Sequence, residues 1–168
     1  LEAHEKKMLR LVFSKDTPYE NSSINQVINS NGEFENKTYR IQYGTKGIIS
    51  IINKATGEEL LDKRAPALGS PVYQIFPNGE RGDAAGFGYS ARTKPHMEVH
   101  YPELLSFEMV ESGDIFTHFK ATYRIKGAVE AFSHYYLYTE LPKIMVTAEI
   151  AKDLVRDPEG MYVCLPLT

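Results

Sequence analysis

Apolar residues recur at every second position through much of this chain, the period expected of strands that bury one side. Tyr39, Ile41 and Tyr43 alternate with Arg40 and Gln42, and Ile48 to Ile52 is a short, strongly β-branched run. Turn-forming residues bracket that run, Gly44 to Gly47 before it and Asn53 to Gly57 after it. Together they predict a hairpin with one face against a core.

The alternation is clearest in the last third. Leu105, Phe107 and Met109 are separated by Ser106 and Glu108, and Glu111 to Asp114 predicts a turn. From Thr117 to Ile125 the residues Phe119, Ala121, Tyr123 and Ile125 fall on one face, with His118, Lys120, Thr122 and Arg124 on the other. Gly127 reverses the chain, Ala128 to Thr139 is aromatic-rich, and Ile144, Val146, Ala148 and Ile150 form another inward face. Asp153 to Gly160 reads as a charged loop and Met161 to Leu167 as a final strand. Consecutive strands joined by short turns pair antiparallel as a meander. The expected class is all-β, an antiparallel β-sandwich over residues 32–168.

Elsewhere the pattern breaks. Residues 1–31 read as a linker or the tail of a preceding domain, with a short helical spacing at Met8, Leu11 and Val12 and a polar run after Lys15. Lys63 to Pro71 leads into a Val72 to Phe76 strand, and Pro77 to Pro102 is irregular and glycine-rich, as long functional loops often are. The chain stops on the apolar run Cys164 to Thr168 without a closing turn, which reads as a fragment of a larger domain. An incomplete sheet has an open edge, and an open edge invites a homo-oligomer.

Composition narrows the partners. Apolar residues make up 42% and charged residues 24%, as in ordinary soluble proteins. A net charge of -3 gives no basic footprint, so nucleic acid is not expected. No apolar run approaches the roughly 20 residues that cross a bilayer, and a membrane partner is not expected either. The single cysteine, Cys164, precludes an internal disulfide and reads as a small buried hydrophobe, which leaves the compartment open; the cytoplasm is slightly favoured. Asn21-Ser-Ser23 and Asn36-Lys-Thr38 match the N-glycosylation pattern, which is short enough to arise by chance.

Chemistry-bearing residues are scattered. His96 and His100 lie four apart, but Pro95 and Pro102 argue against the helix that would align them on a metal, and they read as polar loop residues. His118 and His134 are candidate cross-strand neighbours. There is no Gly-x-Ser-x-Gly elbow, and Gly82 to Gly88 lacks the lysine of a phosphate loop. Twenty-two acidic residues always allow a pair to be named, but none is set apart by an apolar neighbourhood. No catalytic or metal-ligating residue, and no cofactor, is therefore assigned within this chain.

Two segments carry a family likeness. Gly47-Ile-Ile-Ser-Ile-Ile-Asn-Lys-Ala-Thr-Gly-Glu-Glu-Leu60 and, further on, Tyr73-Gln-Ile-Phe-Pro-Asn-Gly79 resemble, in order and separation, the start of the β-sandwich that follows the catalytic domain in glycoside hydrolase family 38, the α-mannosidases. The resemblance implies a fragment of a galactose-mutarotase-like supersandwich. It implies a retaining parent hydrolase whose nucleophile and divalent metal, usually zinc, belong to the preceding catalytic domain. This chain would pack on that domain and line the carbohydrate site without catalysing by itself. Tyr73 matches a tyrosine from which the family's sandwich reaches the sugar, and Arg81 and Asp83 on the loop behind it are candidate contacts to hydroxyls or to the partner domain. The chain departs from the family pattern in placing Pro71 and Val72 just before Tyr73. Two rival readings are a free-standing carbohydrate-binding module and a mutarotase-type sugar epimerase, the latter resting on His118, His134 and Glu149.

Overall fold

The computed structural model describes residues 26–27, 32–77 and 96–168. These form the strands β1 (Gln26–Val27), β2 (Gly32–Glu35), β3 (Tyr39–Gly44), β4 (Gly47–Asn53), β5 (Pro71–Ile75), β6 (Glu98–His100), β7 (Glu103–Ser112), β8 (Phe116–Arg124), β9 (Ala128–Tyr138), β10 (Ile144–Lys152) and β11 (Glu159–Val163). The fold is an all-β antiparallel sandwich, with no α-helix among the described residues. One layer is a five-stranded sheet in the order β1-β7-β8-β9-β10, so the meander of the last third forms as its spacing predicts. The other layer is split between two three-stranded sheets, β2-β3-β4 and β11-β5-β6.

The core lies between these layers and is largely aromatic. Alternate residues of β8 and β9 point into it: Phe119, Ala121 and Tyr123 from one strand, Ala131, Tyr135 and Leu137 from the other. Phe107 and Phe119 stack with centroids 5.4 Å apart, and Tyr43 from the β2-β3-β4 sheet rests against both rings. Burying a side chain of this size contributes about 1.5–3 kcal/mol. These few rings therefore do much to hold the hairpin β3–β4 on the larger sheet.

Among the described residues, every buried side-chain nitrogen and oxygen has a hydrogen-bond partner. The Tyr135 hydroxyl donates to the Leu68 carbonyl at 2.7 Å, so its one hydrogen is committed and Tyr123, 3.1 Å away, donates to the Tyr135 oxygen. The chain passes so close here that a Cβ at Gly69, whose φ is 75°, would lie 2.9 Å from the Tyr135 hydroxyl oxygen. Only glycine fits both that backbone and that contact.

Several expectations are corrected. Leu105 is turned outward, 48% exposed, because β7 carries an extra residue there: Leu104 opposes Tyr123 and Ser106 opposes Thr122. The bulge hands the inward position to Leu104, which packs against the core. Gln26 and Val27, within the stretch read as a linker or tail, pair with β7 as a short edge strand; the rest of residues 1–31 lies outside the described residues. Glu159 and Gly160, read as loop, begin β11, while beyond Val163 the chain leaves the strand. His100, read as a loop residue, sits in β6.

The Asn36 sequence pattern also meets a physical obstacle. Asn36 is buried, its Nδ2 donates to the Tyr138 carbonyl at 2.7 Å, and its Oδ1 accepts from the Thr38 and Tyr39 amides. The nitrogen that would carry a glycan is thus used inside the fold.

Candidate functional site

The first candidate is the end of the β11-β5-β6 sheet, where Tyr73 lies. Alternation along β5 sends Tyr73 and Ile75 inward and Val72 and Gln74 outward. Tyr73 is fully enclosed. Its ring lies across Gly127 in the β8–β9 turn, where an added Cβ would come within 2.5 Å of it, and a His100 ring tilted at 31° stands 5.9 Å away. The Tyr73 hydroxyl donates to Glu159 Oε2 at 2.5 Å, and Lys152 donates to the other oxygen of the same carboxylate. Burial, followed by the negative charges of Asp153 and Asp157, pushes the Tyr73 phenol above its ordinary value.

Tyr73 is therefore an internal post in this chain, its ring packed on Gly127 and beside His100. The groups that reach outward beside it come from its neighbours. His100 opposes Tyr73 across β5 and β6, and its Nε2 is 3.1 Å from Glu98 Oε2. Lys126 Nζ stands 3.2 Å from both Glu98 Oε2 and His100 Nε2. Lys126, then His100, hold the Glu98 carboxyl below its usual range. Since Ile75 pairs with Glu98, the segment between β5 and β6 departs and returns at this end. Arg81 and Asp83, the other two expected contacts, fall in that segment, outside the described residues.

A second candidate occupies the outer face of the five-stranded sheet. His118 of β8 and His134 of β9 meet diagonally, Nε2 to Nδ1 at 3.0 Å. Beyond them, Glu111 Oε1 is 3.9 Å from His118 Nδ1, and Glu149 Oε1 is 3.8 Å from His134 Nε2. The His118 ring stacks on Tyr136 at 4.3 Å and 13°, and Phe116 packs edge-on against Tyr136 and Tyr138. Burial, then the nearby His134 and, less strongly, Lys120, push the His118 imidazole below its ordinary value, while Glu111 opposes them. The face thus joins aromatic surface to groups that donate and accept hydrogen bonds, the combination that sugar rings and their hydroxyls require.

Comparison of the chain with protein-family models, with curated proteins and with solved structures finds no match. Among the described residues no group of three or more His, Cys, Asp or Glu is arranged to hold a metal ion. The structure brings His118, His134 and Glu149 side by side on the outer face of the sheet. It adds Glu111, Glu98 and Lys126, which spacing did not single out. Glu111 and Ser112, read as the start of a turn, lie instead in β7, where Val110 is a second extra residue: Met109 opposes Phe119 and Glu111 opposes His118. Simple alternation would have put Val110 beside His118 and turned Glu111 away.

Proposed function

We propose that this chain is the β-sandwich portion of an α-mannosidase-like glycoside hydrolase, packing on a catalytic domain and lending one wall to its carbohydrate site. The observation that supports this reading is the convergence of Glu98, His100 and Lys126 on the sheet end built around Tyr73, one of the residues that match the family pattern. A carboxylate, an imidazole and an ammonium side by side supply both acceptors and donors for hydroxyl groups. Tyr73 would set the position of these groups through His100 rather than touch the sugar. The parent's divalent metal, usually zinc, and its nucleophile would sit in the other domain, and this chain's residues would bind and orient.

The test uses the complete gene product with an aryl α-mannoside. Glu98→Ala and Lys126→Ala should each lower kcat/KM about tenfold, mainly through KM, as loss of ground-state binding does. A gene product without a metal-dependent glycosidase region, or one whose kcat/KM ignores both substitutions, overturns the reading.

The aromatic outer face favours a second reading, a module that binds glycans by itself through Phe116, Tyr136 and Tyr138. Calorimetric titration of the chain with mannose-containing oligosaccharides separates the two. Binding lost in Tyr136→Ala supports the module, and the absence of heat excludes it.

A further inference from the structure

Four adjacent strands of the large sheet each place one titratable side chain in a single row: Glu111 from β7, His118 from β8, His134 from β9 and Glu149 from β10. We propose that this row is a binding site for one proton, held as an imidazolium–imidazole pair, so that the aromatic face changes its charge by one unit and by no more. The inference rests on the geometry of the row and holds whether or not a sugar occupies the face.

A 3.0 Å contact between two ring nitrogens has room for one hydrogen. A neutral imidazole has a single N–H. If His118 supplies the shared hydrogen from Nε2, its Nδ1 is bare and faces the Glu111 carboxylate. If His134 supplies it from Nδ1, its own Nε2 is bare and faces Glu149. Either neutral arrangement opposes a nitrogen lone pair to a carboxylate. With one added proton, His118 Nδ1–H points to Glu111, His134 Nε2–H points to Glu149, and the third hydrogen lies between the rings. The central contact is then a hydrogen bond, and each outer N–H faces a carboxylate at ion-pair distance, 3.9 Å from Glu111 and 3.8 Å from Glu149. A second proton would put two hydrogens into the central contact and break it.

The surroundings hold the rings in that line. His118 is only 8% exposed and is stacked on Tyr136. The Val110 bulge is what turns Glu111 onto this face. The charged and titratable groups facing the pair are Glu111 and Glu108 from β7, Lys120 from β8, Tyr136 from β9 and Glu149 from β10. Glu108 accepts from the Ser106 hydroxyl, and the Lys120 ammonium lies over the Phe132 ring, 4.1 Å from its centroid. Lys120 opposes uptake of the proton. Glu111 and Glu149, one at each end, favour it. The depressed His118 value agrees with that ring remaining the neutral acceptor of the shared hydrogen.

Ring-nitrogen NMR of the whole chain between about pH 8 and pH 4 tests the site, because each nitrogen's shift reports whether it carries hydrogen. Expected is one transition common to both histidines. After it, His118 Nε2 still reads as an acceptor while the other three nitrogens read as N–H. Glu111→Gln and Glu149→Gln should each lower the pair's proton affinity about threefold to tenfold. The wild-type spectrum decides by itself if either variant folds poorly. Two separate uptakes, one per ring, or no uptake in that range, overturns the proposal.

Discussion

The hydroxyl of Tyr73 donates to Glu159 Oε2 at 2.5 Å, and Lys152 grips the other oxygen of that carboxylate. Tyr73 and Glu159 belong to the small β11-β5-β6 sheet, while Lys152 ends β10 at the edge of the large one. One carboxylate thus clasps the two layers beside the proposed sugar-facing groups.

Removing the clasp should be measurable without disturbing the ring. Tyr73→Phe keeps the packing and leaves the carboxylate short of one donor, at a cost of about 1–2 kcal/mol. Gly127→Ala should cost more, about 2–4 kcal/mol, since it combines a φ of 82° with a Cβ 2.5 Å from the Tyr73 ring. Urea denaturation midpoints order the two variants. Equal stabilities would contradict the described packing.

The first bulge in β7 reverses the roles of two adjacent leucines. Leu104→Ala should destabilise by about 1–3 kcal/mol, whereas Leu105→Ser should change stability by less than about 0.5 kcal/mol. Plain alternation predicts the opposite ranking, so thermal unfolding of the pair tests where the extra residue lies.

Alkaline stability should follow the buried tyrosines. Burial pushes the Tyr123 phenol up to about 12, above the value of about 10 in an unfolded chain. The fold therefore favours the neutral phenol. Its contribution is complete below about pH 10 and is lost as pH rises towards 12, by about 2–3 kcal/mol over that window. Tyr123→Phe should cost about 1 kcal/mol at neutral pH, one hydrogen bond, and flatten the alkaline decline. Unfolding monitored by circular dichroism at several pH values checks both limbs.

Asn36 should resist modification. In a glycosylating host its buried Nδ2 should stay bare in the folded protein, so tryptic mass mapping should find the peptide containing Asn36 unmodified. Asn36→Ala gives up contacts to the Tyr138 carbonyl and to the Thr38 and Tyr39 amides, and should destabilise by about 1–3 kcal/mol.

How much of this was legible beforehand follows from what each feature depends on. Strand identity depends on local period and on turn residues, so β3, β4, β8, β9 and β10, their antiparallel order and the inward set Phe119, Ala121, Tyr123 and Ile125 were all readable in the chain. Side-chain direction past a bulge depends on how two strands register, a property of the pair and not of either segment. Leu105, inward by alternation, thus faces out, and Glu111, a turn residue by composition, pairs with His118. The enclosure of Tyr73 is of the same kind. An aromatic ring is equally suited to a core and to a sugar, and the packing of Tyr73 on Gly127 of a distant turn is legible only in the tertiary structure. The residues alone thus determined an all-β sandwich with polar histidines on one side of its main sheet, because alternation is a local property. Tertiary structure decided how the others meet, because Glu98 of β6 and Lys126 of the β8–β9 turn come from different sheets' strands and turns, and no local spacing relates them.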